Sequence, residues 1–243
     1  MPNLSFIIGP PESGKTEQLL QRAAGLYQLN PFNEVLILVP TLRHADQIRA
    51  RLVDLCGVAF QLRVETIIQF SSSIVDPSET INLEIADELL RRVTHEEVKS
   101  GPASYFMPIY QTGGFQRSVS NAVNELLQNN VDDQIFLKAT RGTESTQLQG
   151  LASLYHAYRR GLAERNWRHP AELPTIAAKA VDKGIVVAPL VLFDGFEAIR
   201  DGELQLIEKL ATKSDVFVTL DLNIGDRATH AYDSLKHRFP SSS

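Results

Sequence analysis

Eight residues near the start of the sequence have the types and spacing that hold a nucleotide phosphate. The stretch GPPESGKT places Gly9, Gly14, Lys15 and Thr16 at the fixed positions of the phosphate-loop pattern G-x-x-x-x-G-K-[ST]. In such a loop the glycines let backbone N–H groups converge on phosphate oxygens, and the lysine adds a positive charge. The Thr16 hydroxyl is of a type that can ligate Mg²⁺. The motif predicts binding of ATP with Mg²⁺, in preference to a plain Gly-Pro turn.

A second candidate residue for the same site lies much later in the chain. Asp194 closes the apolar run LVLFD, and an acidic residue at the end of a neighbouring strand holds Mg²⁺ directly or through water. The alternative is an aspartate that only begins a turn with Gly195, but the phosphate loop upstream favours the magnesium role. A motor ATPase also needs a glutamate next to this aspartate, to orient the attacking water. Gly195 has no side chain and Glu197 has the wrong spacing, so the sequence predicts nucleotide binding with weak hydrolysis.

Alternating strands and helices in the first part of the chain would position the loop. The short apolar run Leu4 to Ile8 precedes the loop, and a helical pattern follows it. A second strand is predicted at Val35 to Pro40 and a third ends near Thr66, with a helix between them and another after the third. This alternation implies an α/β domain with a parallel sheet and helices on both faces.

The middle of the chain carries a different pattern. Residues 82–182 show amphipathic helical spacing and no convincing strand, and strands return at IVVAPLVLFDGF and DVFVTLDL. We therefore predict a P-loop domain formed by residues 1–78 and 185–243, interrupted by an all-helical insertion at 79–184. After Asn223 the sequence offers only a partial helix.

Composition excludes several other classes of protein and of site. The chain has 243 residues, of which 43% are hydrophobic and 22% are charged, as in ordinary globular proteins of one large or two small domains. Its net charge of −5 provides no overall attraction for nucleic acid, so contact with DNA would need a local patch or a partner. The single cysteine, Cys56, excludes an internal disulfide and a cysteine-based metal cluster. The sequence shows no signal peptide and no apolar segment of bilayer length, which predicts a cytoplasmic protein without a membrane partner.

Several segments together resemble a known family. These are GPPESGKT, VLILVPT, RVETIIQFSSSIV and LVLFDGFEAIRDGELQLIEKLA, with GGFQRSVSNAVNELLQNNV and LASLYHAYRRGLAERNW in the middle. They resemble the N-terminal helicase-like domain of the AddB/RexB subunit of bacterial ATP-dependent helicase–deoxyribonucleases, relatives of the UvrD/RecB superfamily-one helicases. The resemblance covers most of the chain. It implies a RecA-like P-loop NTPase sheet, the first motor lobe, interrupted by a helical lobe.

The resemblance also implies partners and further site residues. Such a subunit acts in double-strand break repair and recombination, on single-stranded DNA or a duplex end, together with a partner helicase–nuclease subunit. Thr41, Thr66 and Phe70 would lie near single-stranded DNA, where hydroxyls contact phosphates and an aromatic ring stacks on a base. For Phe70 a position in the core is the favoured alternative. The Asp-Gly-Phe sequence at Asp194 fits a degenerate motor in this family.

Neither a nuclease site nor a second motor lobe is recognisable in the sequence. We expect the 243 residues to be an N-terminal part of a longer protein, or a truncated relative, that does not unwind or cut DNA by itself. Two other interpretations stay open. An adenylate-kinase-like phosphotransferase is suggested by GPPESGKT and FDGFE, although Glu197 replaces the expected proline and the helical stretch is too long for a substrate lid. A non-catalytic interaction module could keep the loop as a relic.

Overall fold

A computed structural model describes residues 4–76, 78, 80–221 and 233. Its strands are β1 Leu4–Ile8, β2 Glu34–Val39, β3 Gln61–Thr66, β4 Leu190–Phe193 and β5 Asp215–Leu220. Its α-helices are α1 Lys15–Leu29, α2 Leu42–Cys56, α3 Ile67–Ile74, α4 Leu83–Ser100, α5 Gly113–Gln128, α6 Asp133–Thr140, α7 Thr146–Ala163, α8 Leu173–Asp182 and α9 Asp201–Ala211. The partial helix predicted after Asn223 lies almost wholly outside the described residues.

The five described strands form one parallel sheet in the order β1-β5-β4-β2-β3. The predicted α/β class is confirmed, and the sheet is consistent with a RecA-like fold. Parallel strands place their carboxyl ends at one edge, which is where open α/β sheets bind ligands. The order brings the ends of β1, β5 and β4 together at that edge, and the phosphate loop follows β1.

Helices cover both faces of this sheet, as the sequence predicts. Alternate side chains of a strand point to opposite faces. Val35 and Ile37 of β2 pack with α1 and α2, whereas Leu36 and Leu38 pack with α3, α8 and α9. All four side chains are fully buried. Burial on both faces explains why the central strands are almost continuously apolar rather than alternating.

The chain divides into two compact units, which are described separately. One is an α/β unit of Met1–Val75 and Pro174–Ser243, and the other is a helical unit of Asp76–Leu173. The sequence predicts this division at residues 79 and 184. Most of the difference lies in α8, whose buried alanines pack in the core of the α/β unit.

The helical unit contains α4 to α7 around its own apolar core. Its largest fully buried side chains are Tyr155 and Tyr158, both on α7. The chain entering and the chain leaving this unit pair side by side, because Thr80 and Arg168 form a parallel bridge. The backbone N–H of Ile81 donates to the Arg168 carbonyl over 3.1 Å. Throughout the residues that the structure describes, no helix has the length and apolar character needed to cross a bilayer.

A neutral histidine is buried in the helical unit just after this bridge. The side chain of His169 accepts the backbone N–H of Ala171 through Nδ1 over 3.0 Å, and the residue is 4% exposed. Burial lowers the pKa of His169 to about 4. The carboxylates of Glu172 and Asp87 oppose this shift, and the guanidinium of Arg159 adds to it. The folded protein therefore keeps His169 neutral at pH values where the unfolded chain protonates it.

We expect this histidine to make the chain less stable in mild acid. An unfolded histidine has a pKa of about 6.5. The contribution of neutral His169 to the free energy of unfolding is therefore fully present above that pH and is lost as the pH falls towards 4. At pH 5 the loss is about 2 kcal/mol in the free energy of unfolding. Urea unfolding at pH 7 and pH 5 measures this loss. His169→Asn is the control, because asparagine keeps a side-chain acceptor for the backbone N–H of Ala171. Equal pH dependence in the two proteins would contradict the prediction.

Candidate nucleotide-binding site

The predicted phosphate loop connects the end of β1 to the first residue of α1. Gly14 stands immediately before α1 with a φ of 83°, in the left-handed region that a side chain disfavours. The second glycine of the motif is thus required by the turn into the helix. Glu12 also has a positive φ, of 60°, and is exposed to solvent. The loop therefore has the strand–loop–helix setting in which a helix N-terminus faces a bound anion.

Lys15 folds back over this loop. Its ammonium group donates to the carbonyl oxygens of Gly9 and Pro10 over 2.8 and 2.5 Å. Its Nζ also lies 3.8 Å from a carboxylate oxygen of Asp221, the residue that follows β5. Asp221 is a neighbour of the loop that sequence analysis missed. Its other carboxylate oxygen is buried and has no hydrogen-bond partner among the described residues.

The two residues predicted to hold magnesium meet, although they are far apart in the sequence. The hydroxyl of Thr16, in the first turn of α1, lies 2.9 and 3.1 Å from the two carboxylate oxygens of Asp194. Asp194 directly follows β4 and is fully buried. A hydroxyl and a carboxylate are hard oxygen donors, and Mg²⁺ is commonly bound by one or two carboxylates together with substrate phosphates. The donor set therefore fits this ion.

Two further side chains bind the Asp194 carboxylate, and sequence analysis missed both. The hydroxyl of Thr219, on β5, donates to Oδ1 over 2.9 Å and accepts the backbone N–H of Gly195 over 3.1 Å. The Nε2 atom of His44, on α2, lies 3.0 Å from Oδ2. A signal for Thr219 existed, because it is a hydroxyl within the apolar stretch VFVTL. His44 had none, since its approach depends on the pairing of β2 with β4.

Gly195 occupies a position where a side chain would have to displace the imidazole of His44. Its φ is 78°, and an added Cβ would lie 2.3 Å from Cε1 of His44. The glutamate of active motors is thus excluded at this position while the imidazole stays in place. Glu197, the other carboxylate in this turn, is exposed, as expected for a solvated turn residue.

The three residues predicted to contact DNA have different surroundings. The Thr41 hydroxyl accepts the backbone N–H of His44 and caps α2, and the Thr66 hydroxyl accepts that of Gln69 and caps α3. Both threonines lie at the carboxyl-end edge of the sheet, after β2 and at the end of β3. Phe70 is only 1% exposed and belongs to the core between α3 and the sheet. Its burial favours the core interpretation over base stacking.

The chain matches a known protein family over much of its length. The family model described as "ADDB, N-terminal" matches residues 78–241. The matched segment contains Asp194 and Thr219 but neither the phosphate loop nor His44. The assignment of the phosphate loop therefore depends on its sequence motif and its geometry. No curated protein matches the chain. Because the matched segment spans more than half of the 243 residues, the chain belongs to the family of AddB N-terminal domains and is an AddB-type, repair-related protein.

Proposed function

We propose that this chain binds ATP with Mg²⁺ as the helicase-like, nucleotide-binding part of an AddB-type subunit in double-strand break repair and recombination. The observation that carries the proposal is the contact between Thr16 and Asp194. It joins a complete phosphate loop to the acidic end of a nearby strand of the same sheet. Membership of the AddB family supports the repair context.

Each residue of the site has a defined part in this proposal. The backbone N–H groups of the loop and of the first turn of α1 would bind the phosphates, since their dipoles favour an anion. Lys15 would exchange its carbonyl partners for oxygens of the negatively charged phosphates. Thr16 and Asp194 would hold Mg²⁺, which neutralises charge on the phosphates when it is bound.

DNA and a partner helicase–nuclease subunit complete the proposal. Thr41 and Thr66 lie at the same edge of the sheet as the phosphate loop, where their exposed atoms would meet a DNA backbone. The net charge of −5 argues that the chain does not bind DNA strongly by itself. A partner subunit would therefore supply much of the affinity for DNA.

Family membership favours this proposal over an adenylate-kinase-like phosphotransferase. A non-catalytic module with a relic loop shares the same family and the same fold, so only nucleotide binding separates it from the proposal. A titration of the chain with ATP, with and without Mg²⁺, is the direct experiment. Absence of ATP binding in both conditions would identify the loop as a relic.

Asp194→Asn tests the magnesium role. The substitution keeps the size of the side chain and removes its charge, so we expect the affinity gained from Mg²⁺ to fall by about tenfold or more. Binding of ATP without Mg²⁺ should stay nearly unchanged. Glu197→Gln is the matched control, because it removes an exposed carboxylate from the same turn. If Mg²⁺ raises the affinity for ATP equally in Asp194→Asn and Glu197→Gln, Asp194 does not act through the metal.

A further inference from the structure

His44 reaches the candidate magnesium site from a helix that does not belong to the phosphate loop. It lies in the first turn of α2, and its Nε2 atom is 3.0 Å from Oδ2 of Asp194. The imidazole is 25% exposed, whereas the Asp194 side chain is 1% exposed. Strand β2 leads into α2 and pairs directly with β4, so the sheet itself brings this turn next to Asp194. The Thr41 hydroxyl holds the turn by accepting the His44 backbone N–H.

The imidazole also fills the space beside Gly195. A Cβ at that position would lie 2.3 Å from Cε1 and 2.8 Å from Nδ1 of His44. Real carbon atoms do not approach so closely, so a side chain at residue 195 would displace the imidazole from this position. His44 and Gly195 are therefore matched: in the observed conformation the imidazole reaches Asp194 because residue 195 has no side chain.

We propose that His44 is a positioning residue of the nucleotide site, which fixes the Asp194 carboxylate for Mg²⁺. The two oxygens of this carboxylate have separate partners, since Thr219 donates to Oδ1 and His44 faces Oδ2. With both oxygens bound, the plane of the carboxylate cannot rotate away from the Thr16 hydroxyl. The imidazole tautomer that carries its proton on Nε2 supplies the donor, and such outer partners orient metal-binding groups. The inference rests on the proposed binding of MgATP.

The experiment compares His44→Ala with His44→Gln in titrations with ATP at varied Mg²⁺. Alanine removes the donor, so we expect the magnesium-dependent part of the affinity to fall by about 10- to 100-fold. Affinity for ATP without Mg²⁺ should not change. Glutamine carries an N–H donor at the end of its side chain and should restore most of the loss. Rescue by glutamine separates a donor that orients Asp194 from a ring that only fills space.

Gly195→Ala provides an independent test of the same role. In the wild-type background its methyl group displaces the imidazole, so we expect the same loss of magnesium dependence as in His44→Ala. In the His44→Ala background the methyl group has room, and only the cost of the positive φ remains. The two substitutions should therefore be strongly non-additive in a double-mutant cycle.

The outcomes separate this inference from the proposed function. If the wild-type chain binds MgATP and His44→Ala keeps the same magnesium dependence, the positioning role is wrong and the proposed function stands. The inference also fails if His44→Ala weakens binding equally with and without Mg²⁺, or if glutamine gives no rescue. A wild-type chain that binds no ATP overturns the proposed function and this inference with it.

Discussion

The isolated chain should hydrolyse MgATP far more slowly than about one turnover per second. We expect its rate to be about 10³-fold or more below that of a motor with a complete site. Hydrolysis needs a carboxylate that holds the attacking water in line. Gly195 stands where that carboxylate would be, and Glu197 is exposed in the turn beyond it. Hydrolysis also needs a cation beyond the γ-phosphate. The loss of an arginine finger alone lowers the rate by about 10³- to 10⁵-fold. In the proposed function a second lobe or a partner would supply that group.

Gly195→Glu should not repair this slow turnover. One reason is that the proposal assigns the cation to a second lobe or a partner, and the structure adds another, because the new Cβ would collide with the imidazole of His44. We expect the variant to hydrolyse no faster than the wild type and to lose magnesium-dependent affinity for ATP. Steady-state ATPase assays with and without single-stranded DNA measure the rates, and Lys15→Ala gives the background. A wild-type rate near about one per second that Lys15→Ala abolishes would show that the site is not degenerate.

Lys15→Ala should weaken binding of MgATP by about 2 kcal/mol, or about 30-fold in affinity. In the structure the ammonium group donates to two neutral carbonyl oxygens, those of Gly9 and Pro10, and lies 3.8 Å from a carboxylate oxygen of Asp221. A phosphate oxygen is a stronger acceptor because it is charged, so nucleotide binding gains from the exchange. Alanine removes that gain and leaves the backbone N–H groups of the loop as the remaining phosphate ligands.

Calorimetric titration of the wild type, Lys15→Ala and Lys183→Ala measures this effect. Lys183 is the matched control, since it is an exposed lysine of the same α/β unit that lies between α8 and β4. Its removal changes the net charge equally and should leave affinity unchanged. Indistinguishable affinities for the Lys15 and Lys183 variants would mean that the loop is not a functional site.

The parts of the site that follow from local sequence could be predicted. The phosphate loop needs only its glycines, Lys15 and Thr16 between an apolar run and a helical pattern. Asp194 could be assigned to the same site because the carboxyl ends of parallel strands share one edge of the sheet. These two steps place Thr16 and Asp194 at one candidate site without knowledge of the strand order, and the structure brings the two side chains together.

The remaining contacts of the site depend on strand order and could not be predicted. Thr219 meets Asp194, and Asp221 meets Lys15, only because β5 lies between β1 and β4. His44 meets Asp194 only because β2 lies beside β4. Long-range pairing of this kind leaves no periodic signal in the sequence.

One strand is shorter than the sequence predicts. The apolar run IVVAPLVLF suggests a strand from about residue 185, but β4 begins at Leu190. Pro189 has no backbone N–H with which to extend the ladder, although its carbonyl accepts the N–H of Asp215. Apolar composition alone does not reveal where a proline ends the pairing.

The bridge between Thr80 and Arg168 has a consequence for how the sheet assembles. Closing a flexible loop costs entropy that rises with the logarithm of its length. Strands β3 and β4 are separated by about 120 residues, a distance that would make β4 slow and costly to recruit. Once the helical unit has folded, the bridge joins its two ends, and the free segment shortens to about 35 residues. The shorter loop reduces the closure cost by about 1 kcal/mol, so folding of the insertion assists the return of the chain to the sheet.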